Sequence, residues 1–254
     1  MKERLDRRVL GAIRWIDGVT LTPIALPLVA ESDTMQFTRN LSGLAVITEA
    51  DGLDVYTPTF NLDDLAPADV VANGSLARDG TVSDPTGNYL PTKFTLHLPR
   101  DSSPTVDANG QRPANSLFTP VDVALLPSPS ARVAPGCAQV RMLILDSSGH
   151  PIPNALVRVI ATTGNTLLGC GLADARGEAL VAILGLKDFA PGSTPHQVVV
   201  LETEARLEII HPPVGAAVVD WTALRAAPVA AHDTDPNHLQ LRPGGLYSRR
   251  YPFS

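Results

Sequence analysis

No stretch of this 254-residue sequence approaches the roughly 18 to 20 consecutive apolar residues that a membrane-spanning helix needs, so no membrane span is expected. Aromatic residues are scarce at 5%, with two Trp and four Tyr. The hydrophobic fraction of 44% still suffices for a core, which Val, Leu, Ile and Ala must fill. Cysteine occurs twice, as Cys137 and Cys170, too rarely for a disulfide-stapled scaffold. One bridge between neighbouring strands is geometrically open, but two half-buried, reduced thiols are the reading favoured here. Basic residues number 20 against 26 acidic ones, a formal net charge of −6. That excludes a general nucleic-acid binder, whose phosphate contacts need clustered Lys and Arg. The start, Met1-Lys2-Glu3-Arg4-Leu5-Asp6-Arg7-Arg8, is charged like a signal peptide but lacks an apolar stretch behind it, since Gly11 and Arg14 interrupt Val9 to Ile16. Synthesis and retention in a cytoplasm, or release by lysis, is the expectation.

Catalytic signatures are missing as well. There is no Gly-x-Ser-x-Gly elbow and no phosphate-binding Gly-x4-Gly-Lys-Ser/Thr loop. Gly169-Cys170-Gly171 lacks the third glycine and following helix of a dinucleotide site. The six histidines form no His-Glu-x-x-His pair. Asp233-Thr234-Asp235-Pro236-Asn237-His238 has the first ligand positions of a calcium loop, but His238 and Gly244 stand where Gly and Glu are needed. The acidic residues between Asp51 and Asp64 read as a solvated loop. No cofactor, metal or catalytic residue is expected.

Proline and glycine are plentiful, 23 and 19, which implies many turns and few long helices. The clearest signal lies between Ala138 and Leu184. Val140 to Leu145, Ala155 to Ala161 and Glu178 to Leu184 are short β-rich runs, separated by the turn clusters Asp146-Ser147-Ser148-Gly149 and Asp174-Ala175-Arg176-Gly177. In the middle run Ala155, Val157, Val159 and Ala161 share one face, and Leu156, Arg158 and Ile160 the other. The pattern predicts strands of a small sandwich.

Asp146, Gly149, Pro151, Ile152, Ala155 and Val157, followed by Asp174, Gly177 and Glu178, resemble the carboxypeptidase regulatory-like group of transthyretin-like sandwiches, over about residues 138–210. The resemblance implies a fold rather than an activity, because such domains serve as accessory modules. It reaches the accessory domain alone. The His-x-x-Glu pair of the zinc carboxypeptidases that carry such a domain is missing. Modules of this kind also resemble decorations and adaptors of phage-tail and contractile-injection particles.

Val9 to Ile47 carries a fainter copy of the pattern. Ile13-Arg14 matches Val140-Arg141, Asp17 matches Asp146, Pro23-Ile24 matches Pro151-Ile152, and Gly43 stands where Gly177 stands later. Two tandem sandwiches follow. Lys93 to Leu98 alternates as a half-buried strand, Arg100 to Ala114 reads as a long loop, and Val121 to Leu126 closes the first unit. Pro127-Ser128-Pro129-Ser130 and Pro135-Gly136 mark the boundary. Leu207 to Ile210 ends the second unit before Pro212-Pro213. Val218 to Trp221 suggests a short strand, and Ala223 to Ala227 a helical turn.

The expected organisation is all-β: an N-terminal antiparallel β-sandwich over 1–133, a transthyretin-like one over 134–212, and a largely irregular arm over 213–254. Three of the ten Phe and Tyr fall within the last nine residues. Leu246, Tyr247, Arg249, Arg250, Tyr251 and Phe253 are therefore the candidate partner interface, Tyr and Arg being frequent interface anchors. The arm has three possible fates: packing on a neighbouring subunit (the reading preferred here), fraying, or folding back over its own first domain to complete a core. Three functions compete. The first is a non-catalytic structural or adaptor subunit of a phage tail or contractile-injection-type particle. Its partners would be protein subunits, with a homo-oligomer as one option, and its location a virion or virion-like particle. The second is a carbohydrate- or peptide-binding accessory module, and the third an enzyme of unrecognised type.

Overall fold

In a computed structural model, residues 9–53, 71–103, 105–187, 189–191, 198–226, 232–235 and 237–252 are described. Two compact units divide the chain. One comprises residues 1–16, 22–85 and 93–124, the other 17–21, 86–92 and 125–254. The acidic residues Asp54, Asp63, Asp64 and Asp69 lie outside the described residues.

The first unit holds β1 (Gly11–Asp17), β2 (Val29–Glu31), β3 (Met35–Arg39), β4 (Ala45–Ala50), β5 (Leu76–Ser83), β6 (Thr92–Leu98) and β7 (Val121–Leu125). They form two sheets, β3-β4-β1-β7 and β2-β5-β6. Alternation sets the faces, as period-2 patterning requires. Ile13 and Trp15 point inward from β1, and Phe94, Leu96 and Leu98 from β6. The sheets meet where Trp15 and Phe37 pack edge-on against Phe94, at centroid distances of 5.6 and 6.2 Å. Gly80 makes room for that ring, since a Cβ there would lie 2.5 Å from it.

The second unit holds β8 (Ala138–Leu145), β9 (Leu156–Ala161), β10 (Leu167–Leu172), β11 (Glu178–Ile183), β12 (Phe189–Pro191), β13 (Val198–Val200) and β14 (Thr203–Ile210). A five-residue helix, α1 (Trp221–Arg225), and the strands β15 (His232–Thr234), β16 (Leu239–Leu241) and β17 (Leu246–Pro252) complete it. One sheet runs β10-β9-β14-β15, with β16 also on β14, another runs β11-β8-β17, and β12 and β13 pair with each other. Val157 and Val159 of β9 face Val140, Met142 and Ile144 of β8 in a shared core, as the alternation predicts. Leu156 and Ile160 are buried on the opposite face.

That opposite face also carries charge. Glu208 on β14 is buried, with Arg158 at 3.6 Å and Arg206 at 2.9 Å. Asn165 accepts a further hydrogen bond from Arg206. One carboxylate thus serves two guanidiniums across paired strands, the company a buried charge needs.

One turn recurs in both units. At Asn40–Leu44, Asp107–Gln111, Asp146–His150 and Asp174–Glu178 the first residue's N–H donates to the fifth residue's carbonyl (2.7–3.0 Å), and its side-chain oxygen accepts the fifth N–H (2.7–3.0 Å). The fourth residue is always glycine, at φ between +73° and +86°. A type I turn closed by a left-handed residue requires this of a three-residue hairpin loop, and Asn or Asp at its start locks it. Gly43 and Gly177 therefore occupy the same turn. Pro23 and Pro151 also match, each making an isolated antiparallel bridge to the end of its unit's first strand, at Ile16 and Leu145. The copies diverge after that. β3 and β4 stay paired in one sheet, whereas β10 and β11 lie in different sheets. There Gly169 and Gly171 let the two backbones approach: a Cβ on Gly171 would lie 2.3 Å from the Leu180 carbonyl oxygen. Close strand contact is the role of this glycine pair.

The all-β expectation holds, and α1 is the only helix among the described residues. Val218 to Trp221 is not a strand. Asp220 caps α1 instead, its carboxylate accepting from the Thr222 and Ala223 N–H groups. Residues 213–254, expected as an extended irregular arm, contribute α1 and three short strands to the second unit. The physical reason is the Leu239-Gln240-Leu241 alternation. It buries both leucines beside β14, a segment too short to stand out as periodic.

Candidate interaction surface

β16 and β17 are joined by residues 242–245, which carry the chain from one sheet of the second unit to the other. The near side of this crossover is pinned. Leu239 and Leu241 lie in the core, His238 Nδ1 is 2.9 Å from Glu204 Oε1, and Arg242 pairs with Glu202. Hydrogen bonds from His238 and then Thr162 hold the Glu204 carboxyl below its ordinary range. At the turn the Tyr247 hydroxyl accepts the Arg242 N–H at 2.8 Å. Gly244 N–H donates to Gly136 O, and Gln139 N–H donates to Gly245 O.

From there β17 runs parallel to β8, pairing Leu246 with Gln139 through Pro252 with Leu145. With β11, it is one of the two edge strands of its sheet among the described residues. Tyr247 and Tyr251 are half-buried and pack on the core. Leu246, Ser248, Arg250 and Pro252 form the other row, all exposed, with Leu246 66% accessible. Arg249 falls between the two tyrosines and is exposed. Two features guard this edge against indiscriminate pairing: a charged residue on the inward row, and a proline that cannot donate a ladder hydrogen bond.

Of the six residues singled out from sequence, the structure puts five on one strand. Two face its own unit, Leu246, Arg249 and Arg250 face solvent, and Phe253 lies outside the described residues. β17 therefore docks in cis on β8 of the second unit, whereas the folded-back arm open from the sequence is one covering the first domain.

Its anchoring is modest. Half-burying two tyrosines contributes about 1.5–3 kcal/mol.

Other candidates are accounted for locally. Trp15 and Trp221 are both buried, 5% and 3% exposed, so neither offers a flat platform to a sugar ring. The Asp235 carboxylate of the calcium-like stretch accepts from the N–H and side-chain amide of Asn237. No three His, Cys, Asp or Glu among the described residues group as a metal site would require. Cys137 and Cys170 are free and buried.

No protein-family profile and no curated protein matches the chain. Solved structures resemble it at low identity. An (S)-allantoin synthase aligns at 10% identity over 49% of this chain and 44% of its own, with a TM-score of 0.25. A streptococcal ancillary pilin aligns at 10% identity over 86% of this chain and 49% of its own, with a TM-score of 0.27. The chain thus spans less than half the length of each. A shaft pilin from Lactobacillus rhamnosus GG aligns at 10% identity over 95% and 96%, with a TM-score of 0.24. Likeness at this level carries no functional argument. The chain's own strands place it, as an all-β protein built of small packed sheets.

Proposed function

We propose that this protein is a non-catalytic structural or adaptor subunit of a larger protein assembly. The supporting observation is β17. Its inward row completes the second unit, while Leu246 and Arg250 stand exposed in an outward row along a sheet edge. An arginine is a frequent interface anchor, and a strand whose backbone is already paired presents it without the cost of ordering that backbone. The architecture suits this use. Short strands, locked Asx-Gly turns and glycine-mediated strand contacts make two stiff modules that position a surface.

The assembly we favour is a phage-tail or contractile-injection-type particle, in which such modules serve as adaptors between subunits. The chain would then reside in a virion or virion-like particle and touch protein alone. The test is incorporation. Leu246→Glu with Arg250→Glu should leave folding intact and lower the amount of chain recovered in purified particles. Unchanged recovery would refute the role of this row.

A further inference from the structure

We propose that β17 is an exchangeable strand and that its partner is a second copy of this chain. In a pair of copies, residues 246–252 of each leave their own β8 and take the same place on β8 of the other. This deepens the assembly reading above and rests on it.

The tether comes first. Within the described residues β17 is joined to the rest of its unit only through 242–245, with sequence Arg-Pro-Gly-Gly. Gly244 sits at φ +69° with no atom within 4 Å of where a Cβ would be, whereas Gly245 lies close against the Tyr247 ring. The segment before the tether is held by Leu239 and Leu241, both buried beside β14. The segment after it buries no residue fully and pairs in parallel, the less stable ladder, with one strand only. The boundary between fixed and releasable chain therefore falls at the crossover.

The vacated place is specific. β8 carries the core residues Val140, Met142 and Ile144 and is paired on its far side with β11. Once β17 withdraws, β8 becomes an open edge eight residues long, which is a template for another strand. The sequence known to fit is β17 itself, with Tyr247 beside Val140, Tyr251 beside Ile144 and the Gly245 carbonyl receiving the Gln139 N–H. A second copy supplies those contacts without a new interface having to form, and reciprocal exchange closes as a two-fold dimer. Strands of low local stability are the ones that open in this way.

A reversible lock tests the proposal on the full chain. Leu143 and Arg250 are register partners on β8 and β17, so Leu143→Cys with Arg250→Cys can bridge β17 to its own β8. Arg141→Cys with Ser248→Cys is a second placement, should the first disturb folding. Light scattering coupled to size-exclusion chromatography should find a dimer of the reduced double variant. If the bridge is formed within monomers separated beforehand, the dimer should vanish, and reduction should restore it. In addition, mixing chains that carry only Leu143→Cys with chains that carry only Arg250→Cys should give a disulfide-linked heterodimer. Absence of any dimer, or a dimer that persists with β17 locked in cis, overturns the exchange. The assembly reading fails separately: a locked chain that still enters particles preserves it, and a chain without the introduced cysteines that never enters them refutes it.

Discussion

Gly149 and Gly177 occupy the same turn yet should differ sharply in what they tolerate. Both sit at positive φ, +86° and +73°, where an L side chain costs about 1–2 kcal/mol. Around Gly149 the space is empty, so Gly149→Ala should cost only that. At Gly177 a Cβ would lie 2.5 Å from the Ile144 carbonyl oxygen, which adds an overpacking cost of about 1–3 kcal/mol. Urea unfolding of the two variants should separate them in that order; equal losses would mean that the close approach is relieved cheaply. Cys170 gives a pH dependence. Burial raises its thiol from the ordinary value of 9.0 to about 11, against the opposing pull of Arg225 and Arg158. The folded state therefore holds the proton more tightly than the unfolded one. This contribution is complete below pH 9 and is lost as pH rises from 9 toward 11. Chemical denaturation across that range should show a fall in stability that Cys170→Ala reduces. At neutral pH the thiol should resist alkylation until the protein unfolds.

At the scale of elements, deletion of residues 243–254 removes β17 and should lower the stability of the second unit by about 1.5–3 kcal/mol, from the half-buried tyrosines. A calorimetric transition unchanged by the deletion would mean that β17 adds nothing in cis. The sequence suggests the opposite expectation, a free arm, and the reason is instructive. Strands such as β8, β9 and β11 are legible because both turn chemistry and period-2 alternation mark them. β16 has three residues, and β17 is largely polar on its outward row, so neither has a pattern that stands out from a loop. Parallel pairing with β8 spans more than a hundred residues of sequence and leaves no local trace. The repeat is legible at its turns, Gly43 with Gly177 and Pro23 with Pro151. It is not legible in its sheets, because the move of the chain from β10 to β11 depends on Gly169 and Gly171, read from sequence only as an incomplete nucleotide motif. Five of the six interface candidates share one strand, but composition alone does not show which of them face inward.

For the whole molecule, the account makes β17 both a structural closure and a contact strand. The most direct test is cross-linking mass spectrometry on the assembly purified with the chain, under the proposal above a phage-tail or contractile-injection particle, with cysteine introduced at Ser248, on the outward row with Leu246 and Arg250. The account predicts cross-links from this position to another subunit, a second copy or a neighbour, at a fixed stoichiometry. They should disappear when Leu246→Glu and Arg250→Glu are added. Recovery of the chain only as a free monomer, or cross-links that never leave its own chain, would contradict it.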